Sequence, residues 1–261
     1  MWRNKYDLYE EAVQSPDSDV AFILREYRKI YKSEPLSLRE DFCGTGALLR
    51  AWVSRSASRS AVGIDLDPAP IFYGLQTHHA SLKPARRERV RFVQDDVLRA
   101  SRFKADVICA FNYSYYVFKT RELLLAYFKS VRKSLNSKGL FFLDTFGGTD
   151  AMIESVESRR IGDFTYYWEC ESFNPLTHEC LYAIHFRRNS RGAPKHRRVF
   201  TYDWRYWTMS ELRDLLIEAG FAKVRSYWEG DDRRGGGNGV FRETVRAENC
   251  QSWISYLVAE I

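Results

Sequence analysis

Between residues 36 and 144 the sequence alternates strand-like and helical segments, and that alternation narrows the architectures open to the chain. Residues 36–42 read as a strand, Cys43-Gly44-Thr45-Gly46 as a glycine turn, and 47–53 as a helix. The unit recurs at 60–65, a buried strand whose following helix opens on Asp67-Pro68, where proline suits the first turn. Residues 89–94 and 105–111 are two further strands. Thr120 then caps a helix that carries Leu123, Leu124, Tyr127, Phe128, Val131 and Leu135 at intervals of three and four. Lys138-Gly139 ends it, and 140–144 is a fifth strand. Upstream, Val20, Ile23, Leu24, Tyr27, Ile30 and Tyr31 mark one face of a helix over 18–32, with Ser18 or Asp19 as its N-cap. Such a chain forms a mostly parallel sheet with helices on both faces. Ligands of these sheets bind beyond the carboxyl ends of the strands.

After residue 150 the pattern changes. Segments 164–170, 180–186 and 199–207 are aromatic-rich and separated by turns, which reads as an antiparallel meander with the basic stretch 187–198 as a hairpin tip. A helix resumes at Ser210-Glu211 and ends at Gly220, followed by a strand at 222–228. A loop over 229–238 with three consecutive glycines leads to a last strand over 253–259.

Composition excludes several classes. Hydrophobic residues are 45% and charged residues 28% of 261, a globular balance. No apolar run reaches the length of a membrane span, and the polar N-terminus has no signal-like stretch, so the expected compartment is the cytoplasm. Five scattered cysteines without a CxxC pair, and five histidines without an HxxxH pair, argue against disulfides and metal ligation. The net charge of +6 is mild. Its two dense patches, 86–91 and 187–198, have the composition of either phosphate contacts or solvated loops.

The chemistry gathers at strand ends. Glu40 through Gly46 is a tight turn with carboxylates at its head, and its glycines let backbone N–H groups approach a ligand before a helix N-terminus. Asp65 follows Gly46 by 19 residues, at the end of the next strand, where a carboxylate can accept both hydroxyls of a ribose. Leu49 replaces the third glycine of a dinucleotide fingerprint, which disfavours a nicotinamide cofactor.

On these residues the sequence resembles the class I S-adenosylmethionine-dependent methyltransferases, over nearly its whole length and most strongly over 38–148. Glu40–Gly46 looks like the family's first motif, Gly63-Ile64-Asp65-Leu66-Asp67 like the second, Gln94-Asp95-Asp96-Val97 like the third, and Phe111-Asn112-Tyr113-Ser114-Tyr115 stands in the place of the fourth. The resemblance implies a seven-stranded sheet whose last strand inserts antiparallel, with an inserted antiparallel β cap. It also implies S-adenosyl-L-methionine held by Tyr9, Cys43, Gly44, Gly46, Asp65, Leu66, Asp96, Val97, Phe111 and Asn112. Phe42 occupies the position of the family's first glycine, which leaves either Glu40 or Asp41 as the acid.

The expected division is a lid and first helix at 1–34, a cofactor core at 35–149, a cap at 150–208 and completion of the core at 209–261. Ser114, Tyr116, Trp168, Trp204 and Arg205 are the candidate acceptor contacts. An amine acceptor needs only to be neutral, whereas a hydroxyl needs a base, for which Tyr115 and His185 are the candidates. The expected acceptor is a small molecule with an N or O nucleophile, bound by a monomer or homodimer. An RNA methyltransferase using 187–198 and a non-catalytic cofactor-binding module remain the alternatives.

Overall fold

Two helices, α1 (Lys5–Val13) and α2 (Pro16–Tyr31), precede the first strand in the computed structural model, which describes residues 1–232 and 236–261. Ser15, without a side-chain hydrogen bond, occupies the N-cap of α2 because Pro16 already opens the helix. The cap expected at Ser18 or Asp19 is therefore displaced, and Asp19 lies inside the first turn. Then follow β1 (Ser37–Asp41), α3 (Ala47–Ser54), β2 (Ser60–Asp65), α4 (Pro68–Gly74), the short α5 (Pro84–Arg87), β3 (Val90–Gln94), β4 (Ala105–Ala110), α6 (Arg121–Ser134) and β5 (Leu135–Gly147). The meander is β6 (Ser155–Ile161), β7 (Phe164–Phe173), β8 (Glu179–Arg188) and β9 (Lys195–Arg205). The chain closes with α7 (Met209–Glu218), β10 (Lys223–Asp231), β11 (Gly237–Thr244) and β12 (Trp253–Glu260).

The large sheet has the order β11-β10-β12-β5-β4-β1-β2-β3. Strands β1 to β5 are mutually parallel, and β12 inserts antiparallel between β5 and β10. To the seven strands expected, the sheet adds β11 on its outer edge, paired antiparallel with β10. Residues 233–235 of the expected glycine loop lie outside the described residues. Val107, Ile108 and Cys109 of β4 are fully buried, as a central parallel strand covered on both faces requires. On α6, Leu124, Tyr127, Phe128 and Val131 are all buried, and Thr120 caps the helix by accepting the Leu123 N–H.

Strand order reverses between β1 and β4, so the ends of these strands open the crevice in which such sheets bind ligands. The second sheet, β6-β7-β8-β9, stands over that crevice. Its inner face packs Phe164, Ile184 and Phe186 against Leu8 and Ala12 of α1, so cap and first helix share one small core. No described helix is long and apolar enough to cross a membrane.

Candidate active site

Adjacent residues of a strand point to opposite faces, and at the end of β1 this separates two carboxylates. Asp41 is fully buried, paired through both oxygens with Arg39 at 2.7 and 2.8 Å, and accepts the Tyr127 hydroxyl at 2.9 Å. That carboxylate is consumed in the core. Glu40 faces the other way, and its buried Oε2 has no hydrogen-bond partner. Burial, with the negative charges of Asp19, Asp65 and Asp41 around it, pushes Glu40 well above the usual carboxylate range. An orphaned buried oxygen of this kind is set to meet a donor, above all a cationic one.

The turn after Glu40 is built on positive φ. Phe42 adopts 58°, a region usually left to glycine, and its ring is anchored against Phe118 and Tyr127. Cys43 is buried, and its N–H reaches the Ile64 carbonyl at 3.0 Å, extending the ladder past β1. Gly44 and Gly46 have φ of 52° and 71°. A Cβ on Gly46 would lie 2.5 Å from the Phe92 ring, whereas one on Gly44 would meet only open space. Positive φ favours glycine at both positions, and at Gly44 the backbone is open to approach.

Asp65 ends β2 and accepts the N–H groups of Gly44 at 2.8 Å and Asp67 at 2.9 Å. Burial raises its pKa while those two bonds pull it down. Leu66 beside it is 69% exposed, an apolar face held at a strand end. At the end of β3, Asp96 accepts the Leu98 N–H at 2.9 Å, and Val97 is buried behind it. These residues stand at the ends of β1, β2 and β3. Thr45, inside the glycine turn, donates to Glu10 of α1 at 2.6 Å, and His78 Nε2 lies 2.8 Å from the same carboxylate oxygen.

Beyond β4, β5 and β12 lies a cavity of about 820 Å³. Its floor includes Phe111, Asn112, Tyr113 and Asp144, and α1 and α2 supply Tyr9 and Asp19. The cap supplies Trp168, Tyr182, Tyr202 and Trp204, with the rings of Trp168 and Tyr182 stacked at 4.7 Å. Asn112 and Tyr113 both have left-handed backbones, with φ of 56° and 57°. Asp144 holds this strained pair, accepting the Asn112 N–H at 2.8 Å and the Tyr113 N–H at 3.0 Å. Burial raises Asp144 to about 7.

Several residues singled out in the sequence stand elsewhere. Tyr115 and Tyr116 are fully buried behind the cavity floor, their hydroxyls bound to the Asp144 carbonyl and to Thr145 and the Trp207 carbonyl. The turn after β4 instead presents Tyr113. Ser114 turns its hydroxyl back to the Phe111 carbonyl at 2.9 Å. Arg205 stacks on Trp207 at 3.8 Å and reaches the Lys119 carbonyl and Glu211, away from the cavity.

His185 is fully buried on the far face of the cap. The β8–β9 register shifts between Ile184 and Phe186, and His185 Nδ1 catches the Arg198 N–H at 2.7 Å. Its Nε2 lies 2.6 Å from Glu169. His185 thus fills a β-bulge rather than serving as a base. Glu169 and Glu171 bring ligand atoms within 4.8 Å of it, but Arg197 and Arg198 already pair with those carboxylates. Asp19, Asp144, Tyr202 and Tyr256, which the motifs do not mark, line the cavity together with Tyr113 of the fourth motif.

Solved structures share this arrangement. One is a S-adenosylmethionine-dependent methyltransferase from Clostridium acetobutylicum, at TM-score 0.70 and 17% identity over 98% of this chain and 99% of that one. The chain has the fold of the S-adenosylmethionine-dependent methyltransferases. A second structure with this methyltransferase fold is CalS10 with S-adenosylmethionine bound, an amino pentose methyltransferase from Micromonospora echinaspora. It matches at TM-score 0.68 and 15% identity, over 100% and 98% of the two chains. A third is the sugar N-methyltransferase KedS8 from Streptoalloteichus, at TM-score 0.64 and 15% identity over 98% and 92%. No protein-family model and no curated protein sequence matches the chain.

Proposed function

We propose that the protein is a S-adenosylmethionine-dependent methyltransferase whose acceptor is a small-molecule amine bound beneath the cap. The observation that carries the cofactor assignment is the unpartnered Oε2 of Glu40, buried at the head of a glycine turn whose Gly44 and Gly46 both have positive φ. Glu40 and the turn suit the cofactor's methionine end, with its ammonium group. Asp65 keeps lone pairs for the ribose hydroxyls, Asp96 suits the adenine amino group, the Val97 backbone N–H suits the ring edge, and Leu66 suits a face of the ring. When bound, S-adenosylmethionine supplies an activated sulfonium methyl group. The chain's own contribution is then to align the acceptor and exclude water.

The cavity favours an amine on two grounds. Asp19 draws a cation in, and the aromatic walls can hold positive charge against their faces. Its volume of about 820 Å³ suits a sugar-sized or larger molecule. Two structural neighbours, an amino pentose methyltransferase and a sugar N-methyltransferase, agree with that class. The division proposed above follows, with 1–34 as lid, 35–149 and 209–261 as cofactor core, and 150–208 as acceptor cap.

The test is transfer of labelled methyl from S-adenosylmethionine into a small-molecule extract. Label should enter the extract, and prior acetylation of its amines should abolish incorporation. Labelling of added RNA with none in the extract would contradict the acceptor class.

A further inference from the structure

Asp19 is a cavity carboxylate with one side-chain partner. The Tyr256 hydroxyl donates to its Oδ1 at 2.7 Å, and no other side chain hydrogen-bonds or ion-pairs with it among the described residues. The groups that bear on it come from four neighbouring strands. Tyr256 lies on β12, Asp144 on β5, Cys109 on β4 and Glu40 on β1, and the two carboxylates and the thiol feel its negative charge. The cations of the cavity wall are engaged elsewhere. Arg25, further along α2, binds Glu26 and the Phe241 carbonyl, and Arg159 of β6 donates to the Ala12 carbonyl. Among the described residues nothing positive pairs with Asp19, although it lies on the wall of a cavity roofed by aromatic rings.

We propose that Asp19, gripped by Tyr256, is the seat of the acceptor's ammonium group and the base that takes its proton. This rests on the amine-methylation reading. An N–H bond breaks and an O–H bond forms, so the ammonium becomes a neutral amine with a free lone pair and the carboxylate becomes a carboxylic acid. The proton passes to water before the next turnover. Burial raises Asp19 from 3.8 to about 6, while the Tyr256 hydrogen bond pulls the other way. The group is therefore charged at neutral pH, yet a stronger base than an ordinary carboxylate.

Cyclohexylammonium chloride is a suitable probe, with cyclohexanol as a neutral control of similar shape and tryptophan fluorescence as the readout, since Trp168 and Trp204 line the cavity. The wild type should prefer the ammonium, and binding should weaken as the pH falls through about 6. Asp19→Asn should lose about tenfold or more of the ammonium affinity, together with the pH step. Tyr256→Phe removes a bond that favours the charged carboxylate, so it should move the step to higher pH. Failure of the wild type to bind the ammonium, equal affinity in Asp19→Asn, or an unmoved step in Tyr256→Phe would each overturn the role. Calorimetry with S-adenosylmethionine on the wild type tests the methyltransferase reading separately.

Discussion

The Glu10 carboxylate accepts a hydrogen bond from the Thr45 hydroxyl at 2.6 Å, which fastens the first helix directly to the glycine turn. His78 approaches the same oxygen at 2.8 Å, and the Tyr73 hydroxyl donates to Asp7 one turn earlier on α1. A lid with so few polar fastenings opens locally when one is removed. Glu10→Ala is expected to speed amide hydrogen exchange in α1 by about tenfold while leaving β4 and β5 protected. Unchanged exchange in α1 would mean that the packing of Leu8 and Ala12 and the bonds from Tyr73 and Arg159 suffice to hold the lid.

Glu40 and Asp41 make opposite predictions. Asp41→Ala strands the buried Arg39 guanidinium, so the protein should lose about 3–5 kcal/mol of unfolding free energy in urea. Glu40→Gln removes a charge that burial disfavours, so stability should hold or rise while S-adenosylmethionine affinity falls about tenfold. A stability loss in Glu40→Gln without an affinity loss would exchange the two roles.

Asp144 gives a pH signature. Its pKa rises from 3.8 to about 7 on folding, chiefly through burial, so over that interval the folded state holds a proton the unfolded chain has lost. The stability this lends is complete below pH 3.8 and gone above about 7. The advantage of the wild type over Asp144→Asn in urea titrations should therefore shrink as the pH rises from about 4 to 7, by at most about 4 kcal/mol. A constant or growing difference would show that Asp144 is ionised throughout.

The parallel core is legible because β2, β4 and β5 carry apolar runs punctuated by glycines and acids, the signature of strands covered on both faces. The edge strands are not. β6 reads Ser-Val-Glu-Ser-Arg-Arg-Ile and is largely exposed, and β11 opens Gly-Asn-Gly, so neither shows the alternation of a half-buried strand. Their pairing is set by neighbours rather than by their own residues. The site divides in the same way. Gly44, Gly46, Asp65 and Asp96 sit at strand ends that spacing locates. The choice between Glu40 and Asp41 depends instead on Tyr127, 86 residues along the chain. The burial of His185 depends on a register shift that no local pattern records.

The basic tip of the cap should be dispensable. β8 and β9 meet in a turn that carries Arg191, and Arg187 and Arg188 are exposed beside it. Replacing Arg187, Arg188, Arg191, Lys195, Arg197 and Arg198 by glutamine should leave methyl transfer to the small-molecule pool within about twofold of the parent. A hundredfold loss in a folded variant, with a flattened salt dependence of RNA binding, would favour a nucleic-acid acceptor.

Titration calorimetry of the wild type and of Asp65→Ala shows whether the strand ends of β1 to β3 hold S-adenosylmethionine. The wild type should bind S-adenosylmethionine. Removing the Asp65 carboxylate should weaken binding by about 1–3 kcal/mol, the scale of hydrogen bonds to a charged group. No binding by the wild type, or equal affinity in a folded Asp65→Ala protein, would contradict the account.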